Sequence, residues 1–334
     1  MRIAVVGYGY WGPNVVRNFS RIPEASVSWV ADINAQTLLE IPKIYPTVRT
    51  TSDIADIARD QMTEAVVIVT PPATHFQMAS YFLKAGKHIL VEKPMTQTEK
   101  DARTLVRLAK KYGKILMVDH TFIYTPAVVK LHEIIKSNVL GNIYSIDSVR
   151  TNLGLIQKDS NVIYDLAVHD FAIIDYLFGH LPETVTVNGF MQKEIKQASV
   201  AHITALYPTN LFVHAHVSWL SPIKIRRMIF IGTKKMLVYD DIESTEKIKI
   251  YDKGVSFIHD PKQYLHLRVG YRSGDVVAPD IPIEEGLFGM AKEFVTCIAT
   301  GKQPITDGRA GLRVVRCLEK ATASVRTGGK TIIV

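Results

Sequence analysis

The sequence predicts an α/β protein in two parts: a doubly wound parallel sheet at the N-terminal end, then an α+β domain with a large, mostly antiparallel sheet. Three observations carry this. The 334 residues exceed one ordinary core and divide into about two domains of roughly 150 residues. Residues 1–120 alternate short apolar runs with helical patterns, which is how βαβ units read. After residue 121 the apolar runs are joined mainly by turns, which argues for antiparallel pairing. The expected domains are therefore 1–120 and 121–334.

The first-domain strands are Ile3–Val6, Val27–Ala31, Ala65–Val69, His88–Val91 and Ile115–Val118. They are near-continuously apolar, as strands covered on both faces must be. A helix over Pro13–Phe19 opens with proline in its first turn, where the missing N–H costs nothing. Helices over Thr74–Ala85 and Thr98–Tyr112 stop at Gly86 and Gly113, residues suited to a left-handed cap. In the second domain the strands are Val185–Phe190, Ala201–Leu206, Leu211–Trp219, Met228–Ile231, Met236–Tyr239 and Lys247–Tyr251. A helix fits the segment from Asp165 to Phe178, ahead of Gly179. The closing helices are Glu284–Thr300, ending at Gly301, and a helix capped by Asp307 that runs to Arg326 before Gly328 and Gly329.

Hydrophobic residues make up 47% and charged residues 22%, the balance of a soluble globular chain. Cys297 and Cys317 are too few for a disulfide scaffold and suit a reducing compartment. No apolar run reaches the ~18–20 residues of a membrane span. The N-terminus enters a strand at once, too early for a signal peptide, so a cytoplasmic protein is expected. The net charge is +8, yet basic residues cluster only in pairs such as Lys110–Lys111, Arg226–Arg227 and Lys234–Lys235. That dispersal argues against nucleic acid and favours an anionic small molecule drawn by the field.

Gly7–Tyr8–Gly9–Tyr10–Trp11–Gly12 fits G-x-G-x-x-G between a strand and a helix. Gly7 permits the tight turn, Gly9 admits a pyrophosphate, and Gly12 lets helix and strand pack closely. The helix N-terminus presents N–H groups to the phosphates. Asp32 ends the second strand, 20 residues beyond Gly12. A carboxylate there binds ribose hydroxyls and repels a 2′-phosphate, so the expected cofactor is NAD rather than NADP. Two further segments fall at strand ends, where such sheets bind ligands. Thr70–Pro71–Pro72, with His75 shortly after, makes a rigid wall for a nicotinamide. Glu92–Lys93–Pro94 fixes a lysine at the sheet's carboxyl edge. The expected cofactor set is Gly7, Gly9, Tyr10, Trp11, Gly12, Asp32, Thr70, Pro71, Pro72, His75, Glu92, Lys93 and Phe122.

These motifs, with His120–Tyr124 and Asp165–Asp170, occur in an order that resembles the glucose–fructose oxidoreductase/inositol dehydrogenase (Gfo/Idh/MocA) family over the whole chain. The resemblance implies an N-terminal Rossmann domain that binds NAD and a C-terminal substrate-binding domain whose open sheet forms a homodimer or homotetramer. It implies oxidation or reduction at a sugar or cyclitol hydroxyl, with Lys93 at the reacting hydroxyl and Asp165 and His169 near the substrate. Within the family, Gly7–Asn14, Asn152–Gly154 and Val217–Leu220 with Pro222 and Lys224 look closest to nucleotide-sugar dehydrogenases of bacterial surface-polysaccharide pathways. That group includes oxidation of UDP-N-acetylglucosaminuronate at C3.

Asp165 and His169 are four apart and share one face of a helix. Alcohol oxidation needs a base for the hydroxyl proton, and histidine titrates near ambient pH. His169 is read as the principal base, Lys93 as the group that polarises the hydroxyl, and Asp165 as support; the roles of His169 and Lys93 can be exchanged. The expected substrate contacts are Lys93, Tyr124, Arg150, Asn152, Lys158, Asp165, His169 and Trp219, with Arg150 and Lys158 facing a carboxylate or diphosphate. His214 and His216 lie on one strand face without a zinc pattern, and no metal is expected. Absence of G-x-S-x-G argues against serine acyl transfer. Two other functions stay open: a dehydrogenase of inositol, aminocyclitols or free sugars (or a deoxysugar ketoreductase), and a non-catalytic nucleotide-sensing regulator.

Overall fold

A computed structural model describes residues 1–154, 156, 160–258 and 268–334. The chain forms two compact units, Met1–Thr125 with Glu284–Glu319, and Pro126–Ile283 with Lys320–Val334.

The first unit runs β1 (Arg2–Val6), α1 (Gly12–Phe19), β2 (Ser26–Ala31), α2 (Ala35–Ile44), β3 (Arg49–Thr51), α3 (Ile54–Arg59), β4 (Ala65–Ile68), α4 (Pro72–Lys84), β5 (His88–Glu92), α5 (Glu99–Tyr112) and β6 (Leu116–Asp119). The strands pair in parallel in the order β3-β2-β1-β4-β5-β6, the doubly wound arrangement. Val66, Ile68, Ile89 and Val91 from the sheet pack with Phe82, Leu83 and Leu105 from the helices in one core. Burying such side chains is the main term that holds the unit, at about 1.5–3 kcal/mol each.

Two helices here escape the sequence pattern. α2 buries only Ile41 and contains Pro42, while α3 is six residues long. Their capping does show: Asn34 Oδ1 accepts N–H bonds from Gln36 and Thr37, and Asp53 Oδ1 from Ala55. α4 starts at Pro72, earlier than the expected Thr74, because proline is accommodated in a first turn. Gly86 and Gly113 take the positive φ expected of helix stops.

The second unit contains α6 (Pro126–Lys136), β7 (Ile143–Leu153), α7 (Val168–Phe178), β8 (Thr184–Gln192), β9 (Gln197–Tyr207), β10 (Leu211–Ser218), β11 (Leu220–Gly232), β12 (Met236–Asp240), β13 (Ile248–Ile258) and β14 (Arg268–Val277). The chain ends in α8 (Gly286–Thr300), α9 (Gly308–Arg326) and β15 (Ile332–Ile333). Asp307 caps α9, its Oδ1 accepting from the N–H groups of Arg309 and Ala310. Within the first unit α8 rests on α1 through an edge-to-face Phe19–Phe294 pair, and Glu285 binds Arg17 and Asn18.

Among the described residues the second sheet has nine strands, ordered β14-β13-β12-β11-β7-β10-β9-β8-β15. Only β7 and β10 pair in parallel; the other pairs are antiparallel. The expected mostly antiparallel sheet is thus present. β7 lacks an apolar alternation because its covered face carries Ser148 and Arg150 beside Ile146. Along β11 and β12, Met228, Phe230, Leu237 and Tyr239 are buried while Ile229, Ile231, Met236 and Val238 are half-exposed. Leu206 and Phe212 are exposed on the same open face. Among the described residues no helix is long and apolar enough to cross a membrane.

Candidate active site

The turn after β1 is built as its glycines require. Gly7 has φ +99°, and a Cβ on it would lie 2.7 Å from Val69 O. A Cβ on Gly12 would lie 2.6 Å from Gly7 O, so only glycine lets α1 start this close to β1. At Gly9 a Cβ would meet nothing within 4 Å. The backbone there faces open space, which a pyrophosphate can approach. Tyr10 and Trp11 stand exposed beside it in an edge-to-face pair. Asp32 Oδ2 accepts the Tyr8 N–H at 2.6 Å and Oδ1 accepts the Asn34 N–H at 2.8 Å. Its carboxylate therefore ties the glycine turn to the end of β2. These residues fit NAD.

The remaining carboxyl-edge residues gather around β4, β5 and β6. Thr70 Oγ1 and Thr74 Oγ1 lie 2.7 Å apart across the Pro71–Pro72 turn. His75 is buried, with Nδ1 2.9 Å from Pro94 O and Nε2 2.8 Å from Thr70 O. It ties the loop after β4 to the Lys93–Pro94 turn, and burial pushes its pKa down. Lys93 follows β5, and its backbone N–H donates to Glu92 Oε2 at 2.8 Å.

Glu92 pairs in register with Asp119 at the end of β6. Burial and then the neighbouring Asp119 charge push Glu92 up to about 8. Burial pushes Asp119 up to about 6, against the opposing bonds from Thr121, whose hydroxyl donates to Asp119 Oδ1 at 2.5 Å. His120 is buried, its two ring nitrogens have no hydrogen-bond partner, and burial followed by the Lys93 charge drives it down to about 3. Asp119 and His120 were not among the expected site residues. The signal for Asp119 was available: it ends a strand at the same edge that singles out Lys93.

Tyr124 and Phe122 lie on a short 3-10 turn, Thr121–Tyr124. Tyr124 is buried with its hydroxyl 2.8 Å from Thr306 Oγ1, and Phe122 is half-buried.

In the second unit, Asp165 sits in a π-helical turn, Ile163–Ala167, that leads into α7. Asn161 Oδ1 starts this turn by accepting from the N–H groups of Ile163 and Tyr164. π-Turns are rare and recur at functional sites. Asp165 Oδ2 accepts the Trp219 indole N–H at 2.9 Å, and Trp219 is fully buried. Gly154 lies against Trp219 and Asn152, since a Cβ on it would come within 3.1 Å and 3.2 Å of their side chains. The fold thus gathers Asn152, Asp165 and Trp219, while His169 stands half-buried in the first turn of α7.

Arg150 is placed differently from a surface anchor. It is buried, and its Nε and Nη2 donate to Asp170 Oδ1 at 3.2 and 3.1 Å, with Ser148 Oγ a third donor at 3.0 Å. Lys158 lies outside the described residues. His214 and His216 are on the open sheet face with His202, which stacks on His216 at 4.3 Å. Among the described residues no group of three or more His, Cys, Asp or Glu is arranged to hold a metal ion.

Fold and glycine turn together define an NAD-binding oxidoreductase. Residues 1–120 match the model of the Gfo/Idh/MocA oxidoreductase family's NAD-binding Rossmann fold, and residues 132–333 match its C-terminal alpha/beta domain. The chain belongs to this family. It is 27% identical to the uncharacterized oxidoreductase YrbE of Bacillus subtilis over 180 residues, about half of each protein (52% and 53%). It is 25% identical to a UDP-N-acetylglucosamine 3-dehydrogenase of Acidithiobacillus ferrooxidans over 321 residues, 94% of each protein. A solved structure of that enzyme covers 98% of both chains with a TM-score of 0.82 at 23% identity.

Proposed function

We propose that this dehydrogenase oxidises a secondary hydroxyl of a nucleotide-linked sugar, with UDP-N-acetylglucosaminuronate at C3 as the substrate to test first. The observation that carries the redox chemistry is Lys93, fixed at the carboxyl edge between a carboxyl pair and Pro94, in a unit whose glycine turn fits NAD. When bound, NAD accepts the hydride from the alcohol carbon. Lys93 and His169 act on the hydroxyl proton, one as base and the other as the group that polarises the oxygen. Asp165, oriented by Trp219, supports the substrate side. Tyr10, Trp11, Asp32, Thr70, Pro71, Pro72, His75, Glu92 and Phe122 complete the cofactor's surroundings, and Asn152 and Lys158 contact substrate.

The net charge of +8 supports an anionic substrate, and the relative named for UDP-N-acetylglucosamine supports a nucleotide sugar. A role in surface-polysaccharide synthesis in the cytoplasm follows from that substrate. The half-exposed apolar face of the nine-stranded sheet supports assembly into a homodimer or homotetramer.

The test is a screen at fixed NAD, read as NADH formation. UDP-N-acetylglucosaminuronate is set against UDP-N-acetylglucosamine, inositol and free sugars, with and without 2-oxoglutarate to reveal recycling of bound NADH. Lys93→Ala and His169→Ala should lose turnover and keep NAD binding. Turnover only with polyols overturns the nucleotide-sugar assignment. Unchanged turnover in both variants overturns the residue roles, and no hydride exchange with any substrate restores the sensor reading.

A further inference from the structure

We propose that His202, His214 and His216 form a proton-sensitive seam between two copies of this chain, so that the copies part as the pH falls. This rests on the assembly reading of the nine-stranded sheet and adds its control to it.

The strand registers lay the open face out in rows. One row runs Asn188, His202, His216, Val149 and Arg227 across β8, β9, β10, β7 and β11. The next runs Thr186, Thr204, His214, Asp147 and Ile229 over the same strands. A third brings Leu206 and Phe212, then Ile231 and Met236, onto the same side. The histidines therefore lie on interior strands with apolar side chains close by. His202 is exposed, and His214 and His216 are half-buried. The rings of His202 and His216 stack with centroids 4.3 Å apart and planes 7° apart, and His214 follows 5.9 Å from His202.

Area and charge identify the occupant of this face as a second copy. From β8 to β13 the rows cross seven strands. At ~4.8 Å between strands and ~3.4 Å per residue, the face is roughly 34 by 20 Å, or about 700 Å². A stable pair needs about 800 Å² from each partner. The chain as a whole carries +8 with its histidines neutral, so two copies repel. On this face Asp147 and Asp240 offset Arg227 and Lys249, and Lys249 is also paired with Glu246. A balanced, half-apolar patch that meets its own copy is what a two-fold pair requires.

Protonation upsets that balance by one charge for each histidine. His214 has an acid near it, Asp147 Oδ1 at 3.5 Å from its Nδ1. The row through His202 and His216 offers uncharged Asn188 on one side and Val149 on the other, then the cation Arg227. Burial, and then the neighbouring His202 and His214, push His216 down. A second copy laid on the face takes water from these rings and further disfavours the charged imidazoles. The pair then binds fewer protons than the separated chains. It is favoured above the histidine range and weakened below it.

The experiment is sedimentation of the full chain at neutral and acidic pH, with circular dichroism to follow the fold. An imidazole kept neutral in the pair weakens association about tenfold at one pH unit below its ordinary value of about 6.5. The dissociation constant should therefore rise tenfold or more between about pH 7.5 and about pH 5.5 while the dichroism is unchanged. His202→Gln with His216→Gln should stay assembled at both values, with a change of about threefold or less, because the remaining His214 has Asp147 beside it. If the double variant does not fold, His202→Gln alone takes its place, since that side chain is exposed, and it should cut the change by about threefold or more. Equal constants for the wild type at both pH values overturn the proposal. So does a glutamine variant as pH-sensitive as the wild type, or dissociation that accompanies unfolding. A single chain at every pH overturns it through the assembly reading instead.

Discussion

Replacing Arg150 by methionine separates an interior role from a substrate-anchoring one. Arg150 and Asp170 are 4% and 2% exposed, and two guanidinium N–H groups point at one carboxylate oxygen. Methionine fills much of the volume but leaves Asp170 with Ser148 as its remaining donor of those three bonds. Breaking a buried pair by removing one partner costs about 3–5 kcal/mol, because the other charge stays buried without compensation. Thermal unfolding should then shift down on the order of 10 °C. Arg150→Met with Asp170→Leu removes both charges and should recover most of that loss, since apolar replacement of a whole buried pair is often close to neutral. The assay is urea unfolding of the wild type, both single variants and the double variant, read as a cycle. KM for substrate should change little in the folded variants. A stable Arg150→Met protein with a KM raised tenfold would show that Arg150 anchors substrate and would refute the packing argument.

Gly12→Ala sets a Cβ 2.6 Å from Gly7 O, and the clash is with backbone, so the turn must open. NAD affinity by calorimetry should drop tenfold or more, and an unchanged Kd would contradict the cradle. Trp219→Phe keeps the ring but removes the indole N–H that Asp165 accepts; hydrogen bonds to charged groups are worth roughly 1.5–3 kcal/mol, so both stability and turnover should fall. Stability should also depend on pH through Glu92 and Asp119. Both are raised in the folded chain, to about 8 and about 6, so the fold retains protons that the unfolded chain has released. That contribution is complete below the ordinary carboxyl range and is lost as pH rises through about 6 to 8. Urea midpoints across that window should decline in the wild type and decline less in Glu92→Gln.

Periodicity and punctuation made the first unit legible. β1, β4 and β5 are apolar runs because both faces are covered, and Gly86, Gly113, Gly179 and Gly301 end helices where left-handed φ is needed. The same logic fails where burial and polarity coincide. β7 puts Ser148 and Arg150 on its covered face, so its sequence shows no alternation, and α2 covers so little that it needs no apolar stripe. At the site, the glycine turn and Lys93 declare themselves by residue type. Asp119 is signalled only by its place at a strand end on the same edge as Lys93, and its register pairing with Glu92 becomes visible only in the ladder. The π-turn that carries Asp165 is likewise silent, since it depends on Asn161 capping and on an indole 54 positions away.

The burial of α7 explains why it carries so few polar residues. Eight of its residues are buried, including Asp170 and Asp175, and His169, Tyr176 and Phe178 are the half-buried ones. His169 and Tyr176 are two turns apart and share a face. His169 is one of three half-buried positions on a helix whose other residues are buried, and Leu or Met there would gain apolar burial. His169→Leu is therefore expected to match or exceed the wild type in urea stability while abolishing turnover. A loss of stability as large as that for Arg150→Met would mean that the imidazole is held for structure, and the assignment of a base to this position would fall.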